Sequence, residues 1–181
     1  RFVLWNGEEQ GMLGAWGYTK THAAELDRHR ITTTLDLGSG RINGFFINGR
    51  PELRPALERA LGPVQGLGPF TQVEEAVVGT DNYDFMLQGV ANLVANQESA
   101  NYAPNYHARS DTFDKVDQRQ LRLNAAIAAA VVFGLGEADL PWARQGRAEI
   151  EALVERTSLK DQMASFGLLE SWLDGSRGRR P

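Results

Sequence analysis

Short apolar runs alternate along the chain with longer segments in which apolar residues recur at helical spacing. The short runs predict β-strands at residues 1–6, 31–37, 45–47 and 90–95, and a weaker strand pattern covers residues 70–78. The longer segments predict helices at residues 12–27, 51–61, 81–88 and 117–135. The last of these helices is Ala-rich and apolar almost all round, so we expect it to be largely buried. Because strands alternate with helices, the pattern predicts an α/β layer fold with a largely parallel or mixed sheet.

The C-terminal part of the chain has two further helical segments, at residues 149–154 and 159–173. We therefore divide the chain into a main domain, residues 1–140, and a helical C-terminal extension with a basic tail, residues 141–181. The tail holds three basic residues among Gly and Ser: Arg177, Arg179 and Arg180. This composition predicts a frayed, solvated terminus.

Composition and charge narrow the classes of partner. The formal net charge is −4 over 181 residues, and no stripe of Lys and Arg crosses the main domain, so we expect no nucleic-acid partner. No apolar run of the sequence reaches the roughly 20 residues that a membrane span needs. The chain contains no Cys, so any metal ion must be held by His and carboxylate side chains.

Acidic residues follow two of the predicted strands, at the sheet edge where α/β folds place ligands. Glu8 and Glu9 come after the first strand, and Asp36 ends the second. Adjacent carboxylates resist burial unless they are paired or bind a metal ion. In the functional interpretation one carboxylate is a ligand and the other takes a proton from a bound water. In the structural interpretation Glu8 and Glu9 favour a helix N-terminus, and Asp36 forms a turn.

His107 lies in the polar loop that follows the strand at residues 90–95. Together with Glu9 and Asp36 it makes a set of imidazole and carboxylate groups that suits zinc. His22 and His29 fall on or just after the first helix, away from any strand end, so we expect them to be solvated. The separations between the three candidate ligands are long, so spacing alone does not establish that they converge.

Four sequence blocks occur in a fixed order along the chain. They are RFVLWNGEEQGMLG at residues 1–14, TLDLG at 34–38, GTD at 79–81 and YHARSDT at 106–112. As an ordered set, they resemble the motifs of the M28 family of zinc exopeptidases, and the layout is most similar to its carboxypeptidase Q-like branch. The resemblance implies a three-layer α/β/α fold with a mixed sheet of the zinc-exopeptidase type. It also implies that the fold is truncated at its N-terminal side, since the sequence opens directly in a strand-like run.

By position, the resemblance implies a role for each of four side chains. Glu8 matches the general base of a di-zinc peptidase. Glu9 and His107 match the ligands of one zinc ion, and Asp36 matches a ligand of the other. The substrate implied is a peptide or dipeptide with a free terminus, with aminopeptidase or dipeptidase action as the first choice and carboxypeptidase action as the second. Such proteins are secreted or periplasmic, which is the location that the resemblance implies.

Further residues lie near the implied site. Asp81 matches a position beside the substrate pocket, where a carboxylate faces a substrate amine. Tyr106 and Tyr102 would line the site or pack at its rim. Asp111 and Thr112 would hold the loop of His107 or cap the helix that follows.

The family pattern also needs a His in a His-x-Asp motif and an Asp that bridges both zinc ions, and neither occurs in residues 1–181. We therefore expect that sequence is missing upstream, and that this chain alone binds metal weakly or not at all and shows no peptidase activity. Missing strands would leave a sheet edge exposed, which predicts a homodimer through that edge. Two alternatives stay open: a non-catalytic scaffold or dimerisation domain, and a hydrolase of the same architecture that acts on a non-peptide amide.

Overall fold

The structure is a computed structural model that describes residues 1–180. Its α-helices are α1 (Leu13–Thr21), α2 (Arg54–Leu61), α3 (Asn82–Leu87), α4 (Tyr102–Asn105), α5 (Gln118–Glu137), α6 (Arg147–Arg156), α7 (Leu159–Ser165) and α8 (Leu169–Leu173). Its strands are β1 (Thr32–Thr34), β2 (Ile42–Phe46) and β3 (Asn92–Gln97), and 3₁₀ helices cover Ala23–Arg28, Pro51–Leu53, Gly62–Leu67 and Phe113–Lys115. Most elements lie where the hydrophobic pattern predicts them, although the strands are shorter or displaced by a few residues.

The three strands form one mixed sheet in the order β1–β3–β2. β1 runs parallel to β3, with Thr33 opposite Leu93, and β2 runs antiparallel to β3, with Phe45 opposite Ala95. Residues 92–95 of the inner strand are buried, as expected for a strand with packed layers on both faces. The α/β fold with a mixed sheet that the sequence predicts is therefore confirmed.

Helices cover both faces of this sheet. On one face, α2 and α5 pack against each other and enclose Phe45 and Leu93 in an apolar cluster. On the other face, α3 lies against β1 and β3, and Asn82 donates a hydrogen bond of 3.2 Å to the Asn92 side chain. A second apolar cluster joins α1 and α3 to the helices α6, α7 and α8. The C-terminal helices therefore pack against the same body as the first helix.

The strand predicted at residues 1–6 does not form, and its apolar side chains other than Trp5 are open to solvent. Phe2 is 97% exposed and Leu4 is 100% exposed. A strand needs a neighbour to bond its backbone and a packed layer to cover its side chains, and no strand among residues 1–180 lies beside this segment. The weaker pattern at residues 70–78 gives a bridge between Phe46 and Val73 rather than a full strand.

Helix α5 buries one face instead of its whole circumference, which corrects the prediction. Its buried residues are Asn124, Ile127, Val131 and Leu135. Val132 and Phe133 on the opposite side are exposed, because no element of the described chain covers them. The cap of this helix is Asp117 rather than Asp111 or Thr112. The Asp117 carboxylate accepts hydrogen bonds from two backbone amides of the first turn. Neither α5 nor any other helix within residues 1–180 is long and apolar enough to cross a membrane.

The basic tail is anchored, so the prediction of a solvated terminus is wrong. Arg177 is 4% exposed and forms an ion pair with Asp84 of α3, which is 1% exposed. Arg179 donates a hydrogen bond of 2.6 Å to the carbonyl oxygen of Gln145. The local composition resembles a mobile tail, but a buried carboxylate elsewhere in the fold supplies the partner that orders it.

Candidate active site

The two adjacent glutamates lie on a tight turn, residues 8–12, which we call the acidic turn. The carbonyl oxygen of Glu8 accepts hydrogen bonds from the amides of Gly11 (2.8 Å) and Met12 (2.7 Å). Gly11 has a φ of 100°, which glycine adopts without steric cost. α1 begins close to the preceding chain, since a Cβ on Gly14 would lie 2.6 Å from a backbone oxygen there. The Glu-Glu-Gln-Gly motif therefore holds two carboxylates on a closed turn at the start of a helix.

Glu9 contacts His107, although 98 positions separate them in the sequence. The Nε2 atom of His107 lies 2.6 Å from Oε1 of Glu9, and the side chains are 53% and 56% exposed, respectively. His107 has a φ of 53°, an uncommon conformation for a residue with a Cβ atom. The ring of Tyr106 stacks on the imidazole, with centroids 3.9 Å apart. The fold thus brings two of the three predicted metal ligands into direct contact.

Asp36 follows the C-terminal end of β1 and is exposed. Burial and the negative charge of Asp36 together raise the pKa of both Glu8 and Asp81. Asp36 therefore lies within electrostatic range of the acidic turn and of the segment that precedes α3. This grouping agrees with the expectation that carboxylates at strand ends lie near one sheet edge.

Glu8 is a weaker acid than an ordinary glutamate. Its pKa is raised to about 7, first by burial and then by the charges of Asp36, Glu9 and Asp81, while His107 acts in the opposite direction. A carboxyl group with a pKa near neutrality is able to accept a proton and to return it under physiological conditions. The acidic turn therefore presents one group suited to proton transfer beside another suited to binding a cation.

Asp81 is 8% exposed, and its Oδ1 atom has no hydrogen-bond partner in residues 1–180. Oγ1 of Thr80 and Oδ1 of Asn82, on the neighbouring residues, also have no hydrogen-bond partner in residues 1–180. Burial, followed by the charges of Asp36 and Asp84, raises the pKa of Asp81 to about 6. A buried carboxylate with an unused acceptor is suited to a ligand that brings a positive charge or a donor.

Tyr102 connects the segment of Asp36 with the loop of His107. Its ring packs on Gly38, where a Cβ atom would lie 2.8 Å from the ring, and it lies 5.1 Å from the ring of Tyr106. The sequence indicates Tyr102 only weakly, because rim packing explains an aromatic residue in a polar loop equally well. The clearer signal is Gly38 itself, two residues after Asp36, since a side chain there would exclude the ring.

The residues present fit a zinc site in part. The carboxylate of Glu9 and the imidazole of His107 are both ligand types that zinc prefers. No group of three or more His, Asp or Glu side chains in the described part of the chain is arranged to hold a metal ion. Because zinc sites use three or four protein ligands, this pair needs at least one more.

Comparisons with known proteins agree on one family. The sequence model of peptidase family M28 matches residues 1–132. Carboxypeptidase Q from Bos taurus is 29% identical over 133 residues, which are 74% of this chain and 28% of that protein. The crystal structure of a peptidase M28 precursor from Shewanella amazonensis is similar, with a TM-score of 0.67 and 27% identity over 79% of this chain and 33% of that chain.

A more distant structural neighbour supports the fold alone. The aminopeptidase from Aneurinibacillus sp. has a TM-score of 0.54 and 22% identity, covering 78% of this chain and 33% of that chain. The chain spans 28% of the length of the bovine relative and 33% of each solved structure.

Proposed function

This chain belongs to peptidase family M28, and we propose that it carries the general base and part of the zinc site of an exopeptidase. The observation that carries this proposal is Glu8, whose pKa of about 7 results from burial and the surrounding carboxylates. The contact between Glu9 and His107 lies beside it and supplies ligand types that zinc accepts.

The ligands divide between two metal positions in this proposal. Glu9 and His107 would hold one zinc ion, and Asp36 would contribute to holding a second. When bound, the two ions would polarise the scissile carbonyl group and activate a water molecule.

Glu8 would act on the proton of that water. Its ionised carboxylate accepts the proton as the water attacks, and its protonated form then donates to the leaving amine. A pKa near 7 suits both roles, because neither form is strongly disfavoured at neutral pH. Partial burial of Glu8 supports the proposal further, since the proton is then exchanged less readily with bulk solvent.

Asp81 and Tyr106 would contact the substrate, a peptide or dipeptide with a free terminus. The unpaired Oδ1 of the buried Asp81 would accept a hydrogen bond from a substrate amine. The ring of Tyr106 is 54% exposed beside His107 and would line the entrance. A carboxylate at this position favours aminopeptidase or dipeptidase action over carboxypeptidase action, because it attracts an ammonium group and repels a carboxylate.

Zinc binding by this chain tests the ligand assignment. We expect near-zero zinc to remain after exhaustive dialysis, since no third ligand among residues 1–180 joins Glu9 and His107. In a zinc titration we expect weak binding that Glu9→Ala and His107→Ala abolish. His29→Ala is the matched control, because His29 bonds Tyr18 away from the site.

Two results would contradict this proposal in different ways. Equal zinc binding in the wild type, Glu9→Ala and His107→Ala would show that the assigned side chains are not ligands. Tightly held zinc that both substitutions remove would show that a further ligand is present, and peptidase activity of the chain itself should then be measured.

A non-catalytic dimerisation domain is the second candidate function. β1 has a sheet neighbour on one side, and Phe2 and Leu4 expose their side chains. Pairing of two copies through the open edge of β1 would satisfy the unpaired backbone groups of that strand. A monomer in light scattering at high protein concentration would contradict this candidate.

A further inference from the structure

The guanidinium group of Arg177 lies between α3 and the acidic turn. Its Nε atom donates to Oδ1 of Asp84 at 2.8 Å, and its Nη2 atom donates to Oδ2 at 2.5 Å. The same Nη2 atom donates to the carbonyl oxygen of Gly11 at 2.9 Å. One side chain of the C-terminal extension therefore bonds both a helix of the main domain and the turn that carries the glutamates.

The surroundings of this contact make it well defined. Arg177 is 4% exposed and Asp84 is 1% exposed, so each charge depends on the other for compensation. The guanidinium also lies 5.1 Å from the ring centroid of Trp16 and 5.0 Å from that of Tyr83. A planar group with several fixed donors bonds a carboxylate and a carbonyl at once, which a flexible ammonium group does less well.

The backbone of the tail delivers Arg177 to this position. The Arg177 amide donates to the carbonyl oxygen of Ser171 at 2.8 Å, and the Arg179 amide donates to that of Leu87 at 2.8 Å. Gly178 between them has a φ of 92°, and a Cβ there would lie 2.7 Å from the ring of Trp172. The tail therefore follows a path that only a glycine at this position permits.

We infer that Arg177 is a positioning residue that holds the acidic turn in place from outside the segment shared with the family. The matched segment ends at residue 132, and Arg177 lies 45 positions beyond it. The bond to the Gly11 carbonyl secures the end of the turn whose amides, Gly11 and Met12, donate to Glu8. Compensation of the Asp84 charge needs no bond to Gly11, so this third contact serves the turn. The inference rests on the proposed function only in treating Glu8 and Glu9 as site residues.

Amide hydrogen exchange in this chain tests the inference. The test variant combines Asp84→Leu with Arg177→Met, which removes both buried charges together and leaves neither unpaired. We expect the amides of Gly11 and Met12 to exchange about five- to tenfold faster, the effect of losing one supporting hydrogen bond. The amides of β3 should keep their exchange rates, because a local loosening of the turn does not open the sheet.

Two further variants separate positioning from general stability. Arg177→Lys keeps the positive charge opposite Asp84 but lacks the fork of donors, so it should keep the sheet protected while restoring only part of the protection of the turn. Arg156→Met is the matched control, because Arg156 donates to a different glycine carbonyl, that of Gly49, at 2.6 Å. This control should leave Gly11 and Met12 unchanged.

Unchanged exchange at Gly11 and Met12 in the double variant would overturn the inference, and so would equal acceleration throughout the chain. The outcome is independent of zinc and catalysis. If Glu9→Ala and His107→Ala leave zinc binding unchanged while the local exchange effect is found, the proposed function is wrong and the positioning contact stands. If both substitutions abolish zinc binding while the exchange of Gly11 and Met12 is unchanged in the double variant, only the positioning role is wrong.

Discussion

The acidic turn and the loop of His107 meet at one contact but are held in different ways. Met12 of the turn is 2% exposed, and Arg177 ties the turn to a buried carboxylate. The loop of His107 is open, with His107 53% and Phe113 79% exposed. Its bonds are mainly internal, such as that from Asn101 to the carbonyl oxygen of Lys115. The acidic turn is therefore preorganised, while the loop of His107 depends on a few surface contacts.

The strongest test of this difference compares a buried ion pair with an exposed one. Asp84→Ala leaves the Arg177 cation buried without its partner, and we expect a loss of about 3–5 kcal/mol in the free energy of unfolding. Asp114→Ala removes the exposed pair with Lys115 in the His107 loop and should change the free energy of unfolding far less, because solvent screens this pair. Urea unfolding measures both. Similar losses in the two variants would mean that the turn is no better held than the loop.

The contact between Gly38 and Tyr102 joins the loop of His107 to the segment that carries Asp36. Gly38→Ala introduces a Cβ at a φ of 80° and 2.8 Å from the Tyr102 ring, so we expect a loss of about 1–3 kcal/mol. The control is Gly17→Ala in α1, which has no atom within 4 Å of the added Cβ and should be neutral or stabilising. Thermal unfolding of both variants checks the difference. A neutral Gly38→Ala would show that the ring is free to move away.

The pH dependence of stability reports on the acidic turn. Glu8 has its pKa raised from 4.5 to about 7, so between these values the unfolded state loses the proton while the folded state keeps it. The contribution of Glu8 to stability is therefore largest below pH 4.5 and is lost as the pH rises to about 7. Solvent screening of the half-buried group limits the effect to about 1 kcal/mol. Asp81 adds in the same direction between pH 3.8 and about 6.

Denaturant unfolding across this pH range checks the sign. Glu8→Gln should flatten the slope, because an amide does not titrate. Glu52→Gln, at a partly exposed glutamate paired with Arg50, serves as a comparison and should leave the slope between pH 4.5 and 7 in place. A stability that rises through this window in the wild type would show that Glu8 is not destabilised as a carboxylate.

The smallest effect is expected at the contact itself. His107→Ala removes the 2.6 Å contact with Glu9, and since both side chains are more than half exposed, the loss should stay below about 1 kcal/mol. Urea unfolding at neutral pH measures it. A loss of several kcal/mol would mean that this contact, rather than Tyr102, supports the loop.

The sequence predicts much of the fold because most elements are determined locally. Helices α2 and α3 and strand β3 lie where the apolar spacing and nearby Gly and Pro residues predict them. The segment at residues 1–6 has an equally good strand pattern, but a strand also needs a neighbour, which local sequence does not reveal. The prediction that α5 is largely buried is wrong for the same reason, since its apolar side chains stay exposed wherever no other element covers them.

The candidate site divides in the same way. The order of the motifs predicts that Glu9 and His107 belong together, although nothing in their separation of 98 positions requires it. Arg177 escaped prediction because its role depends on Asp84, 93 positions away, and an Arg between Ser and Gly in a basic tail looks solvated. Gly178, whose missing side chain makes room for Trp172, is the one sequence signal that the tail has a defined path.

The hydrogen bond from Arg177 to Gly11 also fixes an order of events during translation, because it joins residues that are synthesised far apart in time. A ribosome must add 166 residues after Gly11 before the partner of its carbonyl exists. At usual rates of translation that interval is roughly 10 to 30 s. During this interval Glu8 and Glu9 have already been synthesised, but Arg177, whose side chain secures their turn, has not. The acidic turn is thus synthesised well before the side chain that completes its bonding.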